Sequence, residues 1–223
     1  MDGVIVDSGA AHLESWKRLA AEEGLRITQD EFTRTFGRTS REIIRLLWDP
    51  NLPDQEVKRL DDRKEEIYRR LIRGRVPVMP GAMELLEALH AAGWRLGIGS
   101  SGPPANVRLV REELQLDRWL AGCTDASDVT RGKPDPQVFL IAAERMGLPP
   151  GRCVVIEDAV HGIEAAHRAG MKAVALTSTH PAEAFTEADL VVSSLRELSP
   201  SRLGRLWTVT ARIEDRSVDC DLR

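Results

Sequence analysis

Two adjacent carboxylates, Glu157 and Asp158, close a short apolar run, Val154-Val155-Ile156. Neighbouring carboxylates at a buried strand end repel, which costs stability unless a cation or a lysine offsets them. Hard oxygens of this kind suit Mg2+, which combines few carboxylates with phosphate and water. Asp158 as the cap of a helix starting at Ala159 is the structural alternative. Lys133 sits in Gly132-Lys133-Pro134-Asp135-Pro136, a stiff loop that displays a lysine; an ordinary solvated lysine is the alternative there. Ser100, in Ser100-Ser101-Gly102, ends a second apolar run, so its hydroxyl and nearby backbone N–H groups can face an anion at the next helix start. A plain N-cap competes with that reading. Asp2-Gly3 is either a simple turn or an acid placed ahead of the apolar run 4–6.

The elements that must position these groups fall into two kinds. Residues 10–24 have Leu13, Trp16, Leu19 and Ala20 on one helical face. A second helix runs from Thr28 or Asp30 through Phe32 and Phe36 to a stop at Gly37. A third is capped by Thr39 or Ser40 and carries Ile43, Ile44, Leu46 and Leu47; a fourth, highly charged, spans 54–73. After Pro80, helices at 81–92, 104–114, 136–146 and 159–169 alternate with apolar strands at 94–99, 120–123, 153–156, 172–176 and 190–192. Strands alternating with helices predict a parallel sheet covered on both faces, with chemistry in the loops at the strands' carboxyl ends. That is where Ser100, Lys133, Glu157 and Asp158 fall. The opening eight residues read as a turn, a short extended piece and a helix start at Asp7-Ser8. The tail from Ser199 shows no periodicity and is expected to be peripheral. The expectation is an α/β fold, a Rossmann-like three-layer core of residues 1–12 and 79–223 carrying an all-helical cap, residues 13–78.

Taken together, Asp2-Gly3, Ser100-Ser101-Gly102, Gly132 to Pro136 and Glu157-Asp158 resemble the motifs of the haloacid dehalogenase superfamily of phosphatases. The cap placed after the first motif resembles the beta-phosphoglucomutase-like branch. The resemblance covers nearly all residues up to Ser199. It implies phosphoryl transfer through an aspartyl-phosphate, with Asp2 as general acid and base and, through its backbone carbonyl, a Mg2+ ligand beside Glu157 and Asp158. Ser100, Ser101, Gly102 and Lys133 would bind phosphate, and His12 and Arg41 of the helical block would face the substrate. In that family the motif opens on a nucleophilic aspartate two positions before the acid/base. That aspartate is expected one position ahead of Met1, at the end of an apolar strand of the upstream reading frame. Without that strand a cleft is expected between the strands at 94–99 and 153–156, where unpaired backbone is costly. The implied activity is a Mg2+-dependent phosphatase of small phosphorylated metabolites. A sugar-phosphate mutase of the same fold and a non-catalytic phosphate-binding protein are the alternatives.

Bulk properties narrow the partners. At 223 residues the chain can bury a substantial core. Its net charge is −4 and its arginines are scattered among acids, with no basic stripe interleaved with aromatics, which argues against nucleic acid. No apolar stretch is long enough to span a bilayer and no signal-peptide pattern opens the chain, so no membrane partner is expected. Cys123, Cys153 and Cys220 lack metal spacing and read as two buried thiols and one tail thiol in a reducing cytoplasm. The expected partner is the metabolite alone, bound by a monomer.

Overall fold

The computed structural model describes residues 1–35 and 39–214. The helical block comprises α1 (Gly9–Glu22), α2 (Gln29–Thr33), α3 (Ser40–Leu47) and α4 (Asp54–Ile72). α2 and α3 each begin on a capping box, Thr28 with Glu31 and Thr39 with Glu42, which satisfies N–H groups that a helix start leaves without partners. Trp16, Leu19, Ile44, Val57, Leu60 and Ile67 belong to a core of the block's own. Leu46, expected on the apolar face of α3, is exposed. The expected boundary after residue 12 falls inside α1. Ala11 of α1 and Tyr68 and Ile72 of α4 pack with Met1, Ile5, Val6 and Ile98, so both helices serve the two units. Phe36, Gly37 and Arg38 lie outside the described residues.

The second unit alternates as the sequence predicts: α5 (Ala82–Ala91), β1 (Leu96–Gly99), α6 (Pro104–Glu113), β2 (Leu120–Thr124), α7 (Gln137–Arg145), β3 (Val154–Glu157), α8 (Val160–Arg168), β4 (Lys172–Leu176), β5 (Leu190–Val192) and α9 (Pro200–Glu214). All strand pairs are parallel, but they form two sheets, β1 with β2 and β3-β4-β5. Between β1 and β3 lies a cavity of about 740 Å³, lined by residues of both strands and by Met1, Val4 and Ile5. It stands where the cleft was expected. The extended piece expected over 4–6 is instead a turn: the Met1 carbonyl accepts from the N–H groups of Val4, Ile5 and Val6. Only Val6 makes strand-like bridges, to Asp2 and to Val78. Ser8 precedes α1 without a side-chain capping bond.

The described start of the tail is not peripheral. Ser199 Oγ accepts the Arg202 N–H and Pro200 opens α9, a start signal of the usual kind. Leu203, 1% exposed, packs with Val174, Leu176, Val192 and Leu195, and the Trp207 indole donates to the Gly151 carbonyl at 2.8 Å. Leu203, Leu206 and Trp207 are a single helical face that the surrounding arginines obscure in the sequence. Asp215, Asp219, Cys220 and Asp221 lie outside the described residues. Of the other thiols, Cys153 is buried but Cys123 is only half-buried, and both are free.

Asp189 ties the far side of the second sheet together. Its carboxylate accepts from Lys172 Nζ at 2.9 Å and from the Ala173 N–H at 2.8 Å, and lies 2.9 Å from His167 Nε2. Burial alone would raise its carboxyl, but Lys172, the Ala173 N–H and His167 together hold it below the usual range. A depressed folded-state value adds stability above the unfolded value and loses it as pH falls. Wild-type stability is therefore expected to drop below about pH 4, and Asp189→Asn to be less stable at neutral pH but flatter across that acid range in urea denaturation. Leu203→Ala is expected to cost about 2–5 kcal/mol in the same measurement; a loss under about 1 kcal/mol, the size of an ordinary surface substitution, would mean α9 is not part of the core.

Candidate active site

The carboxyl ends of β1, β3 and β4 and the turn at Asp2-Gly3 meet in one place. Glu157, the last residue of β3, is buried, and Lys133 Nζ donates to its Oε1 at 2.9 Å. The lysine comes from the loop before α7, follows a course set by a cis Lys133–Pro134 bond, and sits 4.9 Å from the Phe139 ring centre. Asp158 is not a helix cap: α8 starts from Ala159 with no side-chain capping bond. Its carboxylate instead accepts from the Thr179 hydroxyl, in the loop after β4. The adjacent Ser178 hydroxyl donates to the Gly3 carbonyl at 2.6 Å, so that loop holds both the carboxylate and the opening turn. Burial, and then Glu157, raise the Asp158 carboxyl above the usual range.

Space for the two carboxylates is made by glycines. A Cβ on Gly3, whose φ is +67°, would collide with the Asp158 carboxylate. One on Gly162 would collide with that of Glu157. Ala165 and Ala166 do pack into the core, as expected of small residues facing a sheet; Gly162 serves Glu157 instead.

Ser100 is buried, but its surroundings differ from the expectation. Its N–H donates to the Thr124 carbonyl at 3.0 Å, and its Oγ accepts the Gly102 N–H at 3.0 Å. The Ser100 and Gly102 N–H groups are thus committed inside the protein, leaving the Ser100 hydroxyl hydrogen and the Ser101 N–H as the donors of this loop. Ser101 is exposed. A Cβ on Gly102 would fall 3.7 Å from Asp2 Oδ2, which places this loop beside Asp2.

Asp2 faces the helical block. The Tyr68 hydroxyl donates to its Oδ1 at 3.1 Å, and His12 Nε2 lies 3.8 Å from the same oxygen. The His12 and Tyr68 rings are stacked, 4.1 Å apart and 6° from parallel. Behind His12, Lys64 Nζ lies 2.9 Å from Nδ1 and 2.8 Å from Glu65 Oε1. An ammonium can only donate, so Nδ1 is the acceptor and the ring proton sits on Nε2, towards Asp2. Burial pushes the Asp2 carboxyl up, yet its partners, His12 first and then Tyr68, help hold it well below the usual carboxylate range.

The fold thus assembles Asp2, Ser100, Gly102, Lys133, Glu157, Asp158 and His12. Arg41 stays outside: it is exposed on α3, and its charged neighbour is Asp61 of the same block, 3.9 Å away. Thr179, Ser178, Tyr68, Lys64 and Glu65 went unread in the sequence. The first two stand in the loop after a strand, the place the parallel-sheet rule points to. Lys64 follows Val57 and Leu60 at helical spacing and precedes Tyr68 by four, a polar residue on an apolar face. Among the described residues no three His, Cys, Asp or Glu side chains form a ready-made metal cluster. What is present fits a hard cation all the same: a half-buried carboxylate, Asp158, disfavoured as an anion by its surroundings and adjacent to a second carboxylate. Mg2+ completes such a set with water and phosphate oxygens.

A model of the haloacid dehalogenase-like hydrolases matches residues 1–170. The chain is 32% identical over 212 residues to validoxylamine A 7'-phosphate phosphatase of Streptomyces hygroscopicus subsp. limoneus, covering 92% of this chain and 95% of that protein. It is 31% identical over 214 residues to the beta-phosphoglucomutase of Bacillus subtilis (strain 168), covering 93% and 92%. Its fold is similar to that of a HAD hydrolase, family IA, variant 3, from Entamoeba histolytica HM-1:IMSS, with a TM-score of 0.86, 24% identity, and coverage of 93% of this chain and 96% of that chain. The chain belongs to the haloacid dehalogenase-like hydrolases.

Removing Lys133 would leave Glu157 buried without its cation. Lys133→Met is expected to cost about 3–5 kcal/mol in chemical denaturation, and adding Glu157→Gln to recover most of that loss. Equal stability of Lys133→Met and wild type would show that the pair does not hold the site together.

Proposed function

We propose that this chain is a Mg2+-dependent phosphatase of small phosphorylated metabolites, working through an aspartyl-phosphate. The observation that carries the reading is the convergence of Ser100, Lys133, Asp158 and Asp2 at the carboxyl ends of parallel strands, with opposite and like charges balanced against one another. A metabolite phosphate is the substrate named for the Streptomyces relative.

Asp2 is the general acid and base. Held ionised in the free site, it takes up a proton more readily once a phosphate brings its negative charge close. It then protonates the leaving oxygen as the nucleophile's carboxylate forms its bond to phosphorus, and later takes a proton from the water that attacks the aspartyl-phosphate. The nucleophile is the aspartate expected one position ahead of Met1. The carboxylates of the site are otherwise engaged, Glu157 by Lys133, Asp158 by Thr179 and Asp2 by Tyr68. A strand carrying that aspartate suits the cavity between β1 and β3, where both edges lack a strand partner among the described residues. The Ser100 hydroxyl and the Lys133 ammonium bind phosphate oxygens. Asp158 and the Asp2 carbonyl would hold Mg2+, with Glu157 keeping Lys133 in place beside them. Bound there, the ion offsets phosphate charge.

Hydrolysis is favoured over mutase chemistry by the loop after Ser100. A mutase must grip a second phosphate, and Gly102, Pro103 and Pro104 offer it no side-chain donor. Asn106, the next polar residue after the prolines, is consumed: its Nδ2 donates to Glu65 and its Oδ1 accepts from Arg69.

The test compares the chain starting at Met1 with one extended upstream by about six to ten residues, ending in Asp before Met1. The extended form is expected to release phosphate from aryl and sugar monophosphates with Mg2+, to lose activity with chelator, and to fall by roughly a hundredfold or more with Asp2→Asn. Full turnover by the chain starting at Met1 would overturn the nucleophile assignment. Rapid conversion of beta-glucose 1-phosphate to glucose 6-phosphate, with a trace of bisphosphate and little free phosphate, would overturn the hydrolase reading.

A further inference from the structure

We infer that Asn106 is a positioning residue that makes the orientation of the groups around Asp2 depend on how cap helix α4 seats on core helix α6. The inference rests on the role proposed for Asp2, but its geometry is independent of turnover. Asn106 is 3% exposed, and both ends of its amide are used on α4. Nδ2 donates to Glu65 Oε2 at 2.6 Å, and Oδ1 accepts from Arg69 at 2.9 Å. Glu65 and Arg69 are four residues apart, hence neighbours on one helix face. An amide is the side chain that can donate to the carboxylate and accept from the guanidinium at once. Aspartate would meet Glu65 as a like charge, and an apolar residue would leave both partners wanting.

The contact continues inward. The other Glu65 oxygen accepts from Lys64, which is as buried as Asn106, and Lys64 donates to His12 Nδ1. Lys64 has few alternative places to point, because its ammonium also lies 5.3 Å from the Trp16 ring centre and 5.6 Å from that of Tyr68. The chain Asn106–Glu65–Lys64–His12 therefore runs from the core, through the cap, to the ring whose Nε2–H faces Asp2. Tyr68, the other donor to Asp2, is stacked on that ring and stands on the same helix.

Burying a Lys–Glu pair is costly, and apolar residues of similar volume would often be as stable. Such a pair has value if it enforces a particular arrangement. Here the arrangement is a histidine tautomer: a seated α4 presents Nε2–H to Asp2, whereas loss of the Glu65 anchor frees Lys64 and lets the ring proton move to Nδ1. The core end of the relay is Asn106, on the helix that directly follows the Ser100 loop.

The test reads the ring directly, by nitrogen-15 NMR of the His12 imidazole in the chain starting at Met1, at a fixed pH above the ordinary histidine range. Wild type is expected to show the Nε2–H tautomer alone. Asn106→Leu is expected to give a mixture with Nδ1–H, whereas Arg69→Met, which breaks the other half of the amide contact, leaves the tautomer as it is. Should Asn106→Leu not fold, Glu65→Gln keeps the volume, weakens the hold on Lys64 and carries the same expectation. Unchanged His12 nitrogen shifts in the folded variant would overturn the inference, and so would an equal change in Arg69→Met, the mark of a merely structural contact. In the extended, active form, Asn106→Leu should lower kcat about tenfold with KM within about twofold. Absence of turnover in extended wild type would count against the phosphatase reading while the NMR result still decides this one.

Discussion

Two carboxylates on consecutive residues at a buried strand end are the constraint around which this molecule is arranged. Glu157 is buried and Asp158 half-buried beside it, and burial together with the Glu157 charge raises the Asp158 carboxyl. The fold answers them separately. Lys133 supplies a full charge to Glu157, and the Thr179 hydroxyl supplies a hydrogen bond to Asp158, so one carboxylate is neutralised and the other stays responsive. The responsive one is the carboxylate proposed to hold Mg2+. The same demand reaches into the backbone, because Gly3 and Gly162 must lack side chains for the carboxylates to fit. Four separate segments are thereby tied to two adjacent residues.

Around that point the sheet is divided. Parallel pairing satisfies β1 through β2 and β3 through β4, yet the facing edges of β1 and β3 border an apolar cavity. The turn at residues 1–6 closes part of it, with Met1, Val4 and Ile5 on its wall; its backbone bonds are mostly internal, and outward its Ile5 carbonyl accepts from the Met79 N–H. The carboxylate cluster therefore sits at the mouth of a gap whose two walls are otherwise held apart by helices. Leu96 packs with α5 and Ile98 with α6 on one face of β1, and Phe139 and Met146 cover Gly99 and Gly97 on the other.

Much of this was legible from patterning. The alternation after Pro80 located every strand of the second unit, because buried parallel strands are short apolar runs between helix caps. The loops carrying Ser100, Lys133 and Glu157-Asp158 followed from the strand ends. What escaped had physical causes. The run Val4 to Val6 has the composition of a strand, but the Met1 carbonyl gathers three successive N–H groups and turns it back. α9 was hidden because arginines surround Leu203, Leu206 and Trp207, although Ser199-Pro200 is a start signal. Arg41, expected at the substrate by resemblance, stands beside Asp61 on the helical block, a neighbour that one-dimensional reading cannot see. Lys64 and Glu65 looked like two more charges on a charged helix. Their burial depends on Asn106 and His12, which lie 41 and 52 residues away.

Those long-range partners bear on how a cap of ordinary composition can influence a core site. α4 meets the core through a buried polar chain rather than through apolar packing alone, and such a chain is satisfied only when its members align. Apolar packing tolerates a small slide of one helix on another; a sequence of amide, carboxylate, ammonium and imidazole does not. The cap is thereby given one preferred seat, and that seat is the one in which His12 and Tyr68 both face Asp2. Geometry around Asp2 is then inherited from the packing of α4 on α6, which leaves the outer surface of the helical block, including Arg41, free to vary without disturbing Asp2.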